Sequence, residues 1–347
     1  MKIARGRASR APTIHDVAAR AGVSSMTASR VASGTAPVRE ALRRKVLAAI
    51  KELNYQPNLA ARAARSGSVR IGIVLTNPKS SNLGEFLLGA YGESTRLGAH
   101  LLVEPAIEDA AKLDALRRLV RTGVDGLILP PPLGDSTAAL TLLRRAGICA
   151  LAFATAAAHP AVPAVSIDDF KGAGTMTQHL IDLGHRRIAF VQGRPLHSTA
   201  RRREEGFRAT MDKNGLAVRA AWMAPGDFTF KSGFEAAGKL LALSPRPTAI
   251  FAANDDMAAG VLAMAHGMNL NLTAELSVAG FDDTPLAATL WPPLTTIHQP
   301  IATMASTAVQ AIAENVRRIR NGEPAALVHY RMDCSLMTRA STSPPSS

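Results

Sequence analysis

The chain has 347 residues, of which 47% are hydrophobic and 4% are aromatic, so it can bury sizeable cores built from aliphatic side chains. Its two cysteines exclude a disulfide framework, and no run of apolar residues approaches the ~18 needed to span a membrane. The net charge is +13, and residues 1–67 carry 13 basic and 3 acidic side chains, a balance of +10. We therefore expect a cytoplasmic protein of two or three domains, with a small basic N-terminal module that binds nucleic acid.

The first predicted elements are two short helices within residues 12–33, PTIHDVAARAGVSSMTASRVAS. Thr13, followed three residues later by Asp16, forms a capping-box pattern at the start of an apolar-periodic run. Gly22 permits a sharp turn, and Ser24 can cap a second helix. This pattern predicts a helix-turn-helix whose second helix lies in the DNA major groove. From this stretch alone, an ordinary helical hairpin in a globular core remains the alternative.

Small polar side chains at the start of the second helix can approach base edges closely, and Arg30 can reach a phosphate or a guanine. Thr13, at the start of the first helix, is a further candidate for a DNA contact. The candidates on and before the second helix are Ser24, Ser25, Met26, Thr27, Ser29 and Arg30.

A third amphipathic helix is predicted over residues 40–53, followed by the segments NYQPN and LAARAARSG. The three motifs IHDVAARAGVS, TASRV and ELNYQPN, in this order and spacing, resemble the lactose-repressor (LacI) family of bacterial transcription regulators. The resemblance covers residues 12–338, nearly the whole chain.

The resemblance implies that Tyr55 and Asn58 contact DNA and that residues 58–65 form a hinge helix, which in the family enters the minor groove with a leucine wedged between base steps. Here the matching residue is Ala64, which lacks the side chain for a wedge. We expect less kinking of the operator, with Arg62 and Arg65 holding phosphates instead.

From residue 69 onward, continuous apolar runs alternate with helical segments. Such βαβ repeats predict doubly wound parallel sheets whose strands are buried on both faces. The repetition suggests two α/β lobes facing a cleft, and this part of the chain resembles the periplasmic-binding-protein fold that the family carries as its sensor. The predicted strands are RIGIVL (70–75), HLLVEP (100–105), DGLILP (125–130), ICALAF (148–153), RIAFVQG (187–193), TAIFAAN (248–254) and LSVAGFDD (276–283).

We therefore divide the chain into a helix-turn-helix domain (1–57), a hinge helix and linker (58–68), a two-lobed core for effector binding and dimerisation (69–340) and a disordered tail (341–347). The tail, STSPPSS at its end, has no leucine heptads of the kind that form a tetramer in some relatives, so we expect a dimer.

Ligands of parallel α/β sheets bind beyond the carboxyl ends of the strands. Through the resemblance, Arg203 is expected to clamp effector oxygens, and Asn254 and Asp282 to contact the ligand, whereas Asp255 is read as a helix N-cap. Phe228 matches an aromatic that stacks on a sugar, although a plain core phenylalanine is equally consistent with the sequence.

The first lobe fits the sugar-binding pattern less well. Asn77 and Phe86 are candidates to line the cleft, and Gln299 lies at a crossover between the lobes. Ala154 stands where many relatives have an acidic ligand residue, which leaves room for a smaller or less polar effector.

No enzyme motif is present: there is no GxxxxGK[ST], GxSxG or HExxH, and the glycines at 172 and 174 lack the third glycine of a dinucleotide fingerprint. The adjacent pair Asp282–Asp283 would point to opposite faces of a strand and is not a ready chelate. We expect neither catalysis nor a cofactor or metal. A transport solute-binding protein is the other rival, but it would need an export signal and no basic helix-turn-helix.

The sequence thus predicts a homodimeric repressor that binds a pseudo-palindromic DNA operator and responds to a small-molecule effector, a sugar or sugar derivative, in the cleft. The alternative is the same architecture with a non-sugar effector, a nucleoside or a small organic acid, that acts as a corepressor. No membrane partner is expected.

Overall fold

The computed structural model of the protein describes residues 12–33, 38–53, 55, 68–156 and 159–346. The chain divides into two compact units, Met1–Ser68 and Val69–Ser347. The predicted hinge helix and its residues Asn58, Arg62, Ala64 and Arg65 lie outside the described residues. Among the described residues, no helix is both long and apolar enough to span a membrane.

The described part of the first unit is built on α1 (Ile14–Ala21), α2 (Ser25–Ser33) and α3 (Glu40–Glu52). The predicted capping box is confirmed, because the Asp16 amide donates to Thr13 Oγ1 (3.4 Å) while the Thr13 amide donates to Asp16 Oδ2 (2.7 Å). Gly22 ends α1 in the left-handed conformation (φ 64°), which glycine adopts without strain. The predicted helix-turn-helix therefore forms, around a small core of Val17, Ala18, Ala21, Ala28, Val46 and Ala49.

The second unit contains two parallel sheets, one in each lobe, as the sequence predicts. The first sheet has the strand order β11-β5-β4-β3-β1-β2, and the second has the order β7-β6-β8-β9. The strands are β1 (Arg70–Leu75), β2 (His100–Pro105), β3 (Gly126–Leu129), β4 (Cys149–Phe153), β5 (Ala164–Ile167), β6 (Ile188–Val191), β7 (Met223–Ala224), β8 (Ala249–Ala252), β9 (Ser277–Ala279), β10 (Thr296–His298), β11 (His329–Met332) and β12 (Ser335–Met337).

Helices connect and cover these strands. The helices of the second unit are α4 (Leu83–Leu97), α5 (Asp109–Arg121), α6 (Thr137–Arg145), α7 (Asp169–Asp182), α8 (Ser198–Lys213), α9 (Phe230–Leu241), α10 (Asp255–Gly267), α11 (Pro285–Thr289) and α12 (Ile301–Arg320).

The chain crosses between the lobes after β5, after β10 and after β11. Helix α7 follows a strand of the first lobe but packs against α8 in the second lobe, whereas α12 packs against α4, β3 and β4 in the first. Strand β11 adds to the edge of the first sheet, and β12 then pairs with β10. The repeated crossovers place the carboxyl ends of both sets of parallel strands at the boundary between the lobes.

One predicted strand differs from the expectation of burial on both faces. Strand β2 pairs only with β1 at the edge of its sheet, and its residues are exposed or half-buried. Strands β1 and β3 of the same sheet are buried along almost their whole length. The apolar run of β2 is compatible with both positions, so the sequence alone does not distinguish an edge strand from a central one.

The expectation of a disordered tail is wrong for residues 341–346. Ser341 is fully buried, its carbonyl accepts from Val278 N (2.8 Å), and its hydroxyl oxygen accepts from Thr295 N (2.8 Å). Further along, Ser343 N donates to Ser277 Oγ (3.0 Å). Because β9 is the edge of the second sheet, its free backbone groups need partners, and the polar tail supplies them.

The tail generates a stability prediction. Substitution Ser341→Ala should lower the free energy of unfolding by about 1–3 kcal/mol, because it leaves the buried Thr295 amide without its acceptor. Urea or thermal unfolding of the full chain measures the change. Ser346→Ala, at an exposed position of the same tail, is the matched control and should change stability by less than about 0.5 kcal/mol. Equal effects of the two variants would contradict the assigned role of Ser341.

Candidate functional site

The start of α2 presents the predicted DNA-contact side chains around one buried residue. Ala28 is fully buried against α1 and α3, while Met26 is 65% exposed and Arg30 is exposed. Ser24 Oγ accepts from the Thr27 amide (3.2 Å), which caps the helix as predicted. The small Ala28 sets the helix close to its own core, so the polar face of α2 points to solvent.

Two residues that are predicted to contact DNA also make contacts within the protein. Thr13 uses both its amide and its hydroxyl in the capping box with Asp16, and Tyr55 is half-buried against the small core of the first unit. The structure places Ser25 next to α1, with its hydroxyl 2.9 Å from His15 Nδ1. DNA contacts by these residues stay predictions.

A cavity of about 190 Å³ lies between the two lobes of the second unit. It opens beyond the carboxyl ends of β1, β4, β6 and β8, the position expected for a ligand site in doubly wound sheets. The structure brings all seven predicted effector residues to its wall, three from the first lobe or the crossover and four from the second. They are Asn77, Phe86, Gln299, Arg203, Phe228, Asn254 and Asp282.

The polar end of the cavity is organised around the buried carboxylate of Asp282. Its Oδ1 accepts from Gln299 Nε2 (2.5 Å) and from Arg203 Nη1 (3.3 Å), and its Oδ2 accepts from Asn82 Nδ2 (2.7 Å). Burial, opposed by the Arg203 charge, raises the pKa of Asp282 to about 6. The cluster offers both donors and acceptors to a ligand.

The charge of Arg203 is already balanced within the protein. Its Nε donates to Asp169 Oδ1 (2.8 Å), its Nη1 donates to the Ala253 carbonyl (2.6 Å) as well as to Asp282, and the guanidinium lies 3.7 Å from the centre of the Phe281 ring. Within the described residues, Nη2 makes no hydrogen bond, and Arg203 is one of the residues that line the cavity.

The helix cap at the start of α10 is not the one predicted. Asn254, not Asp255, is the N-cap, and its Oδ1 accepts from the Met257 amide (3.0 Å). Asp255 is instead fully buried and accepts from the amide and hydroxyl of Thr284 (2.8 and 3.1 Å) and from Thr296 Oγ1 (2.6 Å). Both residue types cap helices well, so the sequence left the choice to the tertiary contacts. Asn254 therefore both caps α10 and faces the cavity.

Aromatic rings form the apolar part of the cavity wall. Phe86 and Phe153 meet edge to face with their ring centres 4.9 Å apart. Phe228 has a positive φ of 69°, an unusual backbone conformation for a bulky residue, and its ring lies so close to Gly193 that a Cβ there would be 2.2 Å from Phe228 Cζ. Phe228 thus lines the cavity and also packs against the core, and its stacking on a sugar stays a prediction.

Sequence reasoning missed several residues of the cavity wall. Asn82 precedes α4, and His197 and Thr199 lie at the start of α8. Burial lowers the pKa of His197 to about 4, so its imidazole is neutral at neutral pH. The signal was present, because each lies at the N-terminus of a helix that follows a parallel strand. Ala154 also lines the cavity.

No group of three or more His, Cys, Asp and Glu side chains in the described ranges could hold a metal ion.

Two protein-family models match the chain. One, described as "Bacterial regulatory proteins, lacI family", matches residues 13–58, and the other, "Periplasmic binding protein-like domain", matches residues 177–342. They correspond to the first unit and to part of the second.

Similar proteins span nearly the whole chain. The HTH-type transcriptional repressor PurR of Photobacterium profundum is 34% identical, over 88% of this chain and 92% of the relative. The ribose operon repressor of Escherichia coli (strain K12) is 34% identical, over 88% and 93%. A solved structure, the lac repressor dimer bound to operator and the anti-inducer ONPF, is similar with a TM-score of 0.73 and 29% identity, over 96% of this chain and 99% of that one.

The buried Asp255 generates a prediction of pH dependence. Burial and the nearby charge of Asp282 raise the pKa of Asp255 to about 8, so the folded chain binds a proton that the unfolded chain releases near pH 4. The stability should therefore fall as the pH rises toward 8. In Asp255→Asn, the fall in free energy of unfolding between pH 6 and pH 8 should be smaller by about 1–2 kcal/mol.

Unfolding of the full chain at pH 6, 7 and 8 measures this difference. Asp282, whose pKa is raised to about 6, still titrates at the lower end of this range in every chain, so the prediction concerns the difference between the parent and the variant. The exposed Asp212→Asn on α8 serves as the control and should keep the pH dependence of the parent chain. Parallel pH profiles for the parent and Asp255→Asn would show that Asp255 is already ionised at pH 6.

Proposed function

Because the chain belongs to the lacI family of bacterial regulatory proteins, we propose that it is a dimeric repressor that binds a pseudo-palindromic operator and is controlled by a small neutral sugar in the inter-lobe cavity. Like its repressor relatives, the chain is a DNA-binding transcriptional regulator and not an enzyme. The observation that carries the effector proposal is the convergence of all seven predicted ligand residues on one cavity.

The DNA-binding half of the proposal rests on α2. Its exposed face carries Met26 and Arg30, with small polar side chains around them, a suitable surface for the major groove. The excess of ten positive charges in residues 1–67 supplies the non-specific attraction to phosphates. In a symmetric dimer each α2 would read one half-site, which is why we propose a pseudo-palindromic operator. With chromosomal DNA as the proposed partner, we also propose a cytoplasmic location.

A dimer is supported by apolar side chains left in solvent on α4. Leu88 and Tyr91 lie one turn apart on this helix and are each 69% exposed. The similar lac repressor structure was solved as a dimer bound to operator. We propose that the exposed face of α4 contributes to the contact between two copies of this chain.

A neutral sugar fits the electrostatics of the cavity better than an organic acid. Arg203 is balanced by Asp169 and Asp282, so no excess positive charge is left to bind an anion. The paired donors and acceptors of Asp282, Asn254 and Gln299 suit adjacent hydroxyls, which can donate and accept at once. The aromatic rings supply apolar surface for the C–H face of a sugar.

The size of the cavity favours a single sugar ring. Its volume of about 190 Å³ is below the roughly 300–1,000 Å³ of sites for larger ligands. Ala154 offers no side-chain hydrogen bond to a ligand at its part of the wall. The similarity to a ribose operon repressor agrees with a monosaccharide. A nucleoside or a small organic acid acting as a corepressor is the alternative outcome of a ligand screen.

Regulation follows from a ligand site that both lobes build. Asn77 and Phe86 belong to the first lobe, and Arg203, Asn254 and Asp282 to the second, so a bound effector selects one relative orientation of the lobes. If this orientation alters operator affinity, the operator must alter effector affinity by the same factor. The coupling gives induction if the effector weakens operator binding and corepression if the effector strengthens it.

The groove assignment is tested with Arg30→Ala. Operator sequences are first selected from random DNA with the parent chain, and binding is then measured by titration and footprinting. Loss of one base or phosphate contact per half-site should weaken specific binding by roughly ten- to hundredfold in each half-site. Arg43→Ala, an exposed position on α3, is the control and should affect specific and non-specific DNA alike. An unchanged footprint and affinity for Arg30→Ala would refute the assignment.

The effector is tested by a thermal-shift screen of the full chain against monosaccharides, sugar acids, nucleosides and small organic acids. A ligand that binds only the folded state raises the melting temperature. At a hundredfold excess over Kd it adds about 2.7 kcal/mol to the free energy of unfolding. Phe228→Ala should lose most of a sugar-induced shift, whereas Phe230→Ala, two residues away and outside the cavity, should retain it. Hits confined to nucleosides or acids would reject the sugar and favour the alternative.

A further inference from the structure

The turn that follows β1 reaches from the first lobe to two carboxylates of the second. The Ser81 amide donates to Asp256 Oδ2 (3.2 Å), and the Ser81 hydroxyl donates to the other oxygen of the same carboxylate. The next residue, Asn82, donates from Nδ2 to Asp282 Oδ2 (2.7 Å). Two adjacent residues thus make three hydrogen bonds across the mouth of the cavity.

The acceptors of these hydrogen bonds, which belong to the second lobe, are strong ones. Asp256 and Asp282 are carboxylates, and hydrogen bonds to an ionised group are about twice as strong as those between neutral groups. Burial raises the pKa of Asp256, and the donors from Ser81 oppose that rise by favouring its charged form. The bonds of this turn therefore stabilise charges that the interior otherwise disfavours.

Asn82 also takes up a ligand position. Oδ1 of Asp282 accepts from Gln299 and Arg203, whereas Oδ2 accepts from Asn82. Asn82 and Asp282 both line the cavity, so a sugar hydroxyl that donated to Oδ2 would compete with Asn82. The Asn82 amide occupies the place of such a hydroxyl.

We propose that the Ser81–Asn82 turn is a latch that holds the two lobes together across the cavity, with Asn82 occupying the acceptor oxygen of Asp282 that an effector would use. The second clause rests on the proposed function, since it takes the cavity to be the effector site. An effector that bonds to Asp282 Oδ2 then has to displace Asn82. Asn82 is accordingly a positioning residue, which sets how readily the cleft opens to ligand.

The opposite rim of the cavity provides a reporter of lobe separation. There the Ala156 amide donates to Ser198 Oγ (3.0 Å), and the Ser198 amide donates to Asp135 Oδ2 (3.1 Å). Asp135 and Ala156 belong to the first lobe and Ser198 to the second. These amides lie far along the chain from the turn, so they lose protection only if the lobes themselves move apart.

Hydrogen exchange of the full chain without added ligand, followed by mass spectrometry, tests the latch. In Asn82→Ala we expect exchange to accelerate by about tenfold both in peptides covering residues 80–86 and in those that carry the Ala156 and Ser198 amides. The control Lys79→Ala changes an exposed residue of the same turn and should leave both regions at the parent rates. Amides of the buried strand β6 verify that the fold is intact.

Acceleration confined to residues 80–86, or none at all, would overturn the latch. If Asn82→Ala also accelerates exchange in β6, the milder Ser81→Ala is used instead. It removes the hydroxyl bond to Asp256 and keeps the amide bond, and exchange at the two rims of the cavity is compared in the same way. Because no ligand is added, a negative result leaves the sugar proposal standing, and a failed sugar screen leaves the latch standing.

Discussion

The buried ion pairs of Arg203 are the interaction on which the rest of the second unit depends. One guanidinium joins Asp169 at the start of α7, the Ala253 carbonyl after β8 and Asp282 after β9. Separately, each of these charges would be costly to bury, and burial indeed raises the pKa of Asp169. Together they tie three elements of one lobe to a common point and orient Asp282 toward the cavity. The polar recognition surface and the cross-lobe bond of Asn82 both follow from that orientation.

A cavity built in this way is suited to regulation because neither lobe completes it alone. The second lobe supplies the polar cluster, while the first lobe supplies Asn77, the aromatic edge of Phe86 and the Ser81–Asn82 turn. A ligand or a latch that bonds to both lobes biases their relative orientation, and only such a difference in free energy between orientations can be transmitted. The charges of the cluster limit the ligand class, since an arginine already paired with two carboxylates contributes no excess positive charge and binds a polyhydroxyl ligand through hydrogen bonds.

The differences between expectation and structure share one origin. The tail was expected to be disordered, but the free edge of β9 forms hydrogen bonds with it. Strand β2 was expected to be buried on both faces and yet lies at an edge. At the start of α10, two adjacent residues with equal capping ability exchange roles because the Thr284 and Thr296 donors fix Asp255. In each case the outcome depends on a partner distant in the chain, which local composition does not encode.

Local sequence was enough to specify the helix-turn-helix and the alternation of strands and helices, and the resemblance to the LacI family supplied most of the seven effector candidates. Capping residues, apolar periodicity and the left-handed Gly22 act within a few residues, and each family motif is a short continuous segment. These features can therefore be recognised from local sequence. What those residues touch became visible only in the folded chain. The fold paired Arg203 with two carboxylates, brought Asn82 to Asp282 across the cavity, and set the ring of Phe228 against Gly193. Long-range contacts of this kind depend on how two lobes, crossed three times by the chain, face each other, and that geometry is a property of the whole fold.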